Sequence, residues 1–200
     1  MGKTRKSSAF SSTIAGFTPE QWKQHMDTDE EWTDRLTGVA DAQVLEIVAA
    51  LEHGDAAVRG LACNLAYALG VEGLGARAPE AVERLATLAQ SDPVAKVKKH
   101  AGIVHEGLAG ALERATMRRE MPWLAGYDPD VVPAAISAID DARASVRLQV
   151  YLWWANAPTI PDDARAAAED RLVARIAQEN DPMTRRAAEL ALGHVRARPH

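Results

Sequence analysis

Residues 181–193, Asp-Pro-Met-Thr-Arg-Arg-Ala-Ala-Glu-Leu-Ala-Leu-Gly, contain the pattern that decides the fold of this chain. An aspartate followed by proline is typical of a helix start, because the carboxylate caps free backbone N–H groups and proline suits the first turn. The alanines and leucines that follow recur with the period of an amphipathic helix. The stretch therefore predicts a helix that begins at Asp181 and packs one face against a core.

The same arrangement of an aspartate, a Val or Thr and a basic residue occurs three more times, in residues 55–59, 92–98 and 141–147. The spacings between successive Val or Thr positions are 39, 49 and 38 residues, counted from Val58 through Val97 and Val146 to Thr184. The two shorter spacings lie near the period of roughly 40 to 47 residues that HEAT and armadillo units have. The longer one indicates an insertion at about residues 114–126.

The pattern of apolar residues predicts a further helix before each of these segments. Four runs have apolar side chains at the three- and four-residue spacing of an amphipathic helix: Val44, Ile47, Val48 and Leu51; Val82, Leu85, Leu88 and Ala89; Val132, Ile136 and Ile139; and Leu172, Val173 and Ile176. Glycines stand where helices are expected to end, at Gly54, Gly70 and Gly126. Since no segment alternates as a β-strand does, the sequence predicts an all-α chain of helix pairs.

The stretch 181–193 resembles the second helix of a HEAT-like repeat of the bacterial, phycobilisome-lyase type, and the resemblance covers about residues 39–198. It implies a right-handed α-solenoid (superhelix) of about four HEAT-like helix pairs, with the second helices lining a concave surface. The chain departs from the usual pattern in the second repeat, where Lys98 replaces arginine. The resemblance implies an architecture and transfers no activity.

The N-terminal region is expected to have two parts. Residues 1–16 are rich in Ser, Thr and Lys, which predicts a flexible tail. Residues 17–38 are expected to form an N-terminal helical cap, because Thr18 and Gln21 have capping-box spacing and Phe17 has staple spacing to Trp22.

Composition limits the class of protein. Hydrophobic residues make up 47% of the 200 residues, enough for a buried core, and the net charge of -5 does not favour a general nucleic-acid binder. The single cysteine, Cys63, favours a reducing compartment. No apolar run matches a signal peptide or a membrane span, so we expect a cytoplasmic protein with no membrane partner. No cofactor motif is present, and we expect no cofactor.

Basic residues occupy equivalent positions in the four predicted second helices: Arg59, Lys98, Arg147 and Arg185. In one interpretation they form a row of positive charge that binds the carboxylates or phosphates of a partner. In the other interpretation each pairs with an aspartate of an inter-helix turn and stabilises the fold, which is a common reason for such charges. The candidate aspartates are Asp55, Asp92, Asp141 and Asp181.

The strongest candidate for a recognition site is a stripe on the helix 146–156. Arg147, Tyr151 and Trp154 share that stripe, and a cation, a phenol and an indole together are typical of a binding hot spot. Packing of the same stripe against the next repeat is the alternative, since aromatic residues are mostly buried. His105 is added as a recognition residue on the expected concave side.

Neither metal binding nor catalysis is indicated. His100 and His105 are five residues apart and do not share a helix face as the i and i+4 ligands of a zinc helix do. Cys63 lies among apolar residues without a neighbouring base, which favours a buried structural thiol. We therefore expect a binding module and not an enzyme.

Three function hypotheses follow. The leading one is a scaffold or adaptor whose concave surface binds another protein with an acidic or mixed surface, for example as an accessory factor or a toxin-immunity protein. The alternative is a DNA-binding protein resembling the HEAT-like alkylpurine DNA glycosylases, with Trp153, Trp154 and Asp140 or Asp141 as loose counterparts. It ranks second because phosphate contacts require more positive charge. The third hypothesis, a lyase-type chaperone for a bilin chromophore, rests only on the resemblance of the repeats to the phycobilisome-lyase type.

Overall fold

The structure, a computed structural model, describes residues 13–197. The α-helices in this range are α1 (Pro19–Thr28), α2 (Asp41–Ala50), α3 (Ala56–Leu74), α4 (Ala78–Ser91), α5 (Ala95–Glu120), α6 (Val132–Ala138), α7 (Ala144–Asn156), α8 (Asp162–Ile176) and α9 (Pro182–Arg196). Short 3₁₀ helices cover Trp32–Leu36, Gly75–Arg77, Pro122–Ala125 and Pro129–Val131. Within residues 13–197, β-structure is limited to one bridge between Ile14 and Phe17. The all-α prediction is confirmed for this part of the chain.

The chain forms two compact units, each with its own core. Among the described residues, unit 1 comprises residues 13–115 and unit 2 comprises residues 116–197. The boundary falls within α5, so residues 95–115 of that helix are described with unit 1 and residues 116–120 with unit 2.

The core of unit 1 lies among α1, α2, α3, α4 and the first part of α5. In this unit α3 packs against α1, α2 and α4. The large side chains at the centre are completely or almost completely buried, namely Trp22, Ile47, Leu51, Leu65, Leu74 and Leu85. Burial of this apolar surface is the main driving force that holds the helices in place. It fixes which faces of α3 and α5 point outward.

Two residues of the predicted N-terminal tail pack in unit 1. Ile14 is buried, and its carbonyl oxygen accepts a hydrogen bond of 2.7 Å from the indole N–H of Trp22. Ile14 and Ala15 therefore belong to the core and not to the expected tail, whose first twelve residues lie outside the described range. The predicted capping box is confirmed, because Thr18 Oγ accepts from the Gln21 N–H and Gln21 Oε1 accepts from the Thr18 N–H.

The end of α3 follows the glycine that was expected to stop it. Gly70 has φ 61° and ψ -173°, which breaks the helical conformation within the range Ala56–Leu74. Glycine adopts positive φ without the steric cost that a Cβ imposes. The chain is thereby redirected before α4 begins.

The core of unit 2 lies among α6, α7, α8 and α9. In this unit α9 packs against α7 and α8, and α6 packs against α7 and α8. Ile139, Tyr151, Trp154 and Leu172 are completely buried. The insertion predicted at about 114–126 consists of the last turns of α5, to Glu120, and the 3₁₀ helix Pro122–Ala125.

Candidate functional site

Arg59 of α3 forms a buried clamp in unit 1. Its Nε lies 2.6 Å from Asp92 Oδ2 and its Nη2 lies 3.0 Å from Asp92 Oδ1. Its Nη1 donates to the carbonyl oxygens of His53 and Gly54 at 2.8 and 3.0 Å. The guanidinium thus joins the turn before α3 to the turn before α5, and the side chains of both ions are less than a tenth exposed.

Arg147 of α7 repeats this geometry in unit 2. Its Nε lies 2.5 Å from Glu179 Oε1 and its Nη2 lies 2.9 Å from Glu179 Oε2. Its Nη1 donates to the carbonyl oxygens of Asp141 and Ala142 at 2.8 and 2.9 Å. We call each of these two arrangements an arginine clamp.

Both arginine clamps stabilise the fold. The hydrogen bonds from Arg59 hold the pKa of Asp92 below its ordinary value, and those from Arg147 do the same for Glu179. Pairing is required because an unpaired charge in the interior carries a large desolvation penalty. The predicted pairing with a turn aspartate is confirmed for Arg59, whereas Arg147 pairs with Glu179 and with none of the four proposed aspartates.

Among the described residues, no carboxylate pairs with Lys98 or Arg185, the other two members of the basic row. Lys98 Nζ donates to the carbonyl oxygen of Gln90 at 2.8 Å. Arg185 donates through Nε and Nη2 to the carbonyl oxygen of Glu179. The row therefore consists of two buried structural cations and two exposed ones bonded to nearby backbone.

Tyr151 and Trp154 lie in the core of unit 2, so the stripe on α7 is not a surface. The Tyr151 hydroxyl donates to Glu179 Oε1 at 2.9 Å, and burial raises the pKa of this phenol. The Trp154 indole N–H donates to the carbonyl oxygen of Ala135 at 3.3 Å. Both rings are completely buried. The proposed recognition role of Arg147, Tyr151 and Trp154 is therefore wrong for the folded unit, and packing is the correct interpretation.

His105 is partly buried and lies on the same side of α5 as the exposed Lys98, about 200° around the helix from the exposed stripe that contains Ile103. His100 occupies that stripe, and burial lowers its pKa. The recognition role suggested for His105 stays a prediction.

Trp123 packs over α7 in unit 2. Its ring meets Trp153 edge to face at 5.6 Å, and Tyr127 stacks on the same indole at 5.5 Å. The Trp153 N–H donates to the carbonyl oxygen of Gly126 at 2.9 Å. Beside this cluster is a shallow cleft of about 330 Å³. The aromatic side chains of the insertion thus hold it against α7.

The counterparts of a glycosylase site do not come together. Asp140 pairs with Arg171 at 2.6 Å, and Asp141 pairs with Arg143 at 3.1 Å. Trp154 is buried. These ion pairs leave neither aspartate available beside an exposed tryptophan.

The described residues contain neither a metal-binding cluster nor an activated thiol. Among residues 13–197 no cluster of three or more His, Cys, Asp or Glu side chains is arranged to hold a metal ion. In the same range no helix is both long enough and apolar enough to cross a membrane. Cys63 is completely buried, and burial raises its pKa to about 11, so its thiol is not activated.

The most unusual surface in unit 1 is formed by α3 and α5. Tyr67 is 62% exposed and Ile103 is 60% exposed, although both side chains are large and mainly apolar. A Cβ built on Gly107 would lie 3.6 Å from Tyr67 Cε2, which shows that the ring lies against α5. Ile103 is one helical turn before Gly107, so the two exposed side chains are neighbours. We call the surface of Asn64, Tyr67, His100, Ile103 and Gly107 the α3/α5 face.

A groove of about 570 Å³ adjoins the α3/α5 face and lies between α1, α3 and α5. Its apolar lining includes Met26, Leu61 and Val97, and it shares Asn64 and His100 with the face. The groove and the face therefore form one continuous surface within unit 1.

Unit 2 also exposes apolar side chains on its second helices. Leu152 lies on α7, whereas Met183 and Leu190 lie on α9, and all three are exposed. The two helices pack directly against each other. In each unit, therefore, exposed apolar residues occur on the second helices of the predicted pairs.

No protein-family model matches the chain, and neither a curated protein nor a solved structure matches it. Of the residues of the α3/α5 face, only His100 was considered from the sequence, and that as a metal ligand. The only sign of this face in the sequence was a tyrosine and an isoleucine on helices that already have a full set of core residues on their other faces. Their proximity depends on how α3 and α5 pack.

Proposed function

We propose that this protein is a protein-binding module and that its partner binds the α3/α5 face of unit 1. The exposure of Tyr67 and Ile103 beside each other is the observation that carries this proposal. Contiguous exposed apolar side chains are uncommon unless another molecule covers them. Tyrosine is also enriched among the residues that dominate binding energy, because its rigid ring buries much area at little entropic cost.

The helix order supports a HEAT-like solenoid as the scaffold for this surface. First helices contact first helices, as α2 does α4 and α6 does α8, and the second helix α7 contacts the second helix α9. Stacking of equivalent helices is how repeat proteins build a core between neighbouring repeats. We therefore propose a right-handed solenoid of HEAT-like pairs acting as a scaffold or adaptor, in an accessory or toxin-immunity role.

Copurification from a lysate of the native host tests the proposal. The bait is the full chain, compared with an Ile103→Asp variant. A charge in the centre of a protein interface should cost about 2 kcal/mol or more, so the partner should be lost. Leu45→Asp is the matched control, because Leu45 is 44% exposed on α2 and lies outside the face.

A protein that is retained by wild type and Leu45→Asp but lost from Ile103→Asp supports the proposal. Circular dichroism must show equal helicity in all three chains, since Ile103 is exposed and its replacement should leave the core intact. Equal retention by Ile103→Asp would contradict the proposal. Recovery of nucleic acid without protein, with salt-sensitive binding, would favour the DNA-binding alternative.

A further inference from the structure

The groove beside the α3/α5 face has walls of different charge. On the α5 wall, Lys96 lines the groove and Lys99 is exposed one turn before Ile103. The ammonium groups of both lysines are without a hydrogen bond or ion pair in the described residues. On this side of α5 the run from Ala95 to His105 carries Lys96 and Lys99 and no carboxylate, and the next carboxylate, Glu106, is exposed about 15 Å further along the helix than Lys96. This wall is therefore positively charged.

The preceding acidic residue does not neutralise that charge. Asp92 stands three residues before α5, but its carboxylate is buried and bonded to Arg59. Lys96 and Lys99 are thus available to a carboxylate from outside.

The α1 wall carries mixed charge. Glu20, Lys23 and Asp27 line the groove from that side, and Met26 contributes an apolar surface between them. Glu20 and Asp27 would repel a uniformly acidic segment. A segment with its carboxylates on one edge only avoids this, and its orientation in the groove is then fixed.

We infer that the groove binds an amphipathic, acidic segment of the partner protein, with apolar side chains on Met26, Leu61 and Val97 and carboxylates beside Lys96 and Lys99. This inference rests on the proposed function and adds the chemistry of the partner to it. The groove of about 570 Å³ has room for a few apolar side chains of such a segment.

A phage-displayed library of random peptides, panned on the full-length protein, tests the inference. Enriched peptides should combine apolar residues with an excess of Asp and Glu. A synthetic peptide of the enriched type should bind Lys96→Glu about tenfold more weakly than wild type at low salt, because attraction is replaced by repulsion. Its affinity should also fall as salt is added.

Lys98→Glu is the matched control, since it makes the same charge change on the same helix. Lys98 lies about 200° around α5 from Lys96, and its ammonium group donates to Gln90 away from the groove. The peptide should bind this variant within about twofold of wild type, and an Asp27→Lys variant at least as tightly as wild type.

The inference is overturned if no peptide is enriched, if enriched peptides lack an acidic excess, or if Lys96→Glu and Lys98→Glu bind the peptide equally. These results are distinct from failure of the proposed function. Loss of the copurified protein from Ile103→Asp together with a charge-insensitive peptide would leave the interaction surface in place and remove only the acidic partner. Failure of both experiments would remove both.

Discussion

The two units contain the same arginine clamp but complete it with different carboxylates. In unit 1, Asp92 both binds Arg59 and accepts a hydrogen bond of 2.8 Å from the Val94 N–H at the start of α5. In unit 2 these two tasks are divided, because Glu179 binds Arg147 while Asp181 accepts from the Thr184 N–H at 2.7 Å. One clamp therefore depends on a single residue, whereas the other has separate residues for pairing and capping.

The position four residues after each arginine also differs. In unit 1 it is Cys63, a small buried side chain with a weak donor. In unit 2 it is Tyr151, whose hydroxyl donates to Glu179. The larger residue fills more of the core of unit 2 and gives its carboxylate an additional hydrogen bond. The geometry of the ion pair is thus the same in both units, although the partner carboxylate stands at a different position in the chain.

The largest effect is expected from Asp92→Ala, because this change removes both the ion pair and the cap. Leaving Arg59 buried without a counter-ion should destabilise unit 1 by about 3–5 kcal/mol, as breaking other buried pairs does. Urea unfolding followed by hydrogen exchange of unit 1 peptides measures this loss. A loss under 1 kcal/mol would show that water or another group replaces the carboxylate.

Glu179→Ala should have a somewhat smaller effect, since Asp181 still caps α9. We expect a loss of about 3 kcal/mol in unit 2, measured by the same exchange experiment on unit 2 peptides. Asp181→Ala serves as the comparison, because it removes the cap and leaves the clamp, and it should destabilise less than Glu179→Ala. The division of tasks is contradicted if the order of these two variants is reversed.

Tyr151→Phe tests the additional hydrogen bond of the unit 2 clamp. Removing the hydroxyl while keeping the ring should cost about 1–2 kcal/mol, because Glu179 loses one of its donors. Thermal or urea unfolding monitored by tryptophan fluorescence reports the change. Equal stability of Tyr151→Phe and wild type would mean that Arg147, together with Arg175 whose Nε lies 3.6 Å from Glu179 Oε1, satisfies this carboxylate without the hydroxyl.

The smallest of these effects is expected from acid. Lowering the pH should weaken both arginine clamps and so reduce the free energy of unfolding. The pKa values of Asp92 and Glu179 lie below the ordinary values of 3.8 and 4.5, mainly because of hydrogen bonds from the arginines. The folded protein thus binds fewer protons than the unfolded chain at low pH. The stabilisation is complete above about pH 4.5 and is lost as the pH falls through the folded-state pKa values.

Urea midpoints between pH 7 and pH 3 measure this dependence, with Glu179→Gln as the control for unit 2. The variant should lose less stability than wild type over the acid range, because its residue 179 does not titrate. Parallel curves for the two proteins would contradict a role for Glu179 in the acid sensitivity.

The sequence-based predictions that were confirmed rest on local patterns of residues. Helix starts at Thr18 and Asp181 follow from capping rules, and the turn aspartate Asp92 was among the predicted partners of Arg59. Glu179 was missed because it lies two residues before the cap, and no spacing rule distinguishes it from other glutamates. Capping rules identified the two helix starts because a cap depends on residues that are neighbours in the chain, whereas Asp92 was predicted from its place in an inter-helix turn.

Tertiary packing decided the features that the sequence did not reveal. α7 buries two adjacent stripes at once, so Tyr151 and Trp154 are as inaccessible as Val146 and Val150. Helical periodicity predicts one buried face and cannot tell when a second is covered. Likewise, the groove combines residues of α1, α3 and α5 that are distant in sequence.

Photo-crosslinking in the native host tests the central claim that the α3/α5 face binds a partner protein. A photoreactive phenylalanine analogue replaces Ile103 in one chain and Leu45, which is exposed on α2, in another. We predict a discrete crosslinked protein from position 103 and none from position 45. The absence of a crosslink at position 103, or equal crosslinking at both positions, would contradict the account.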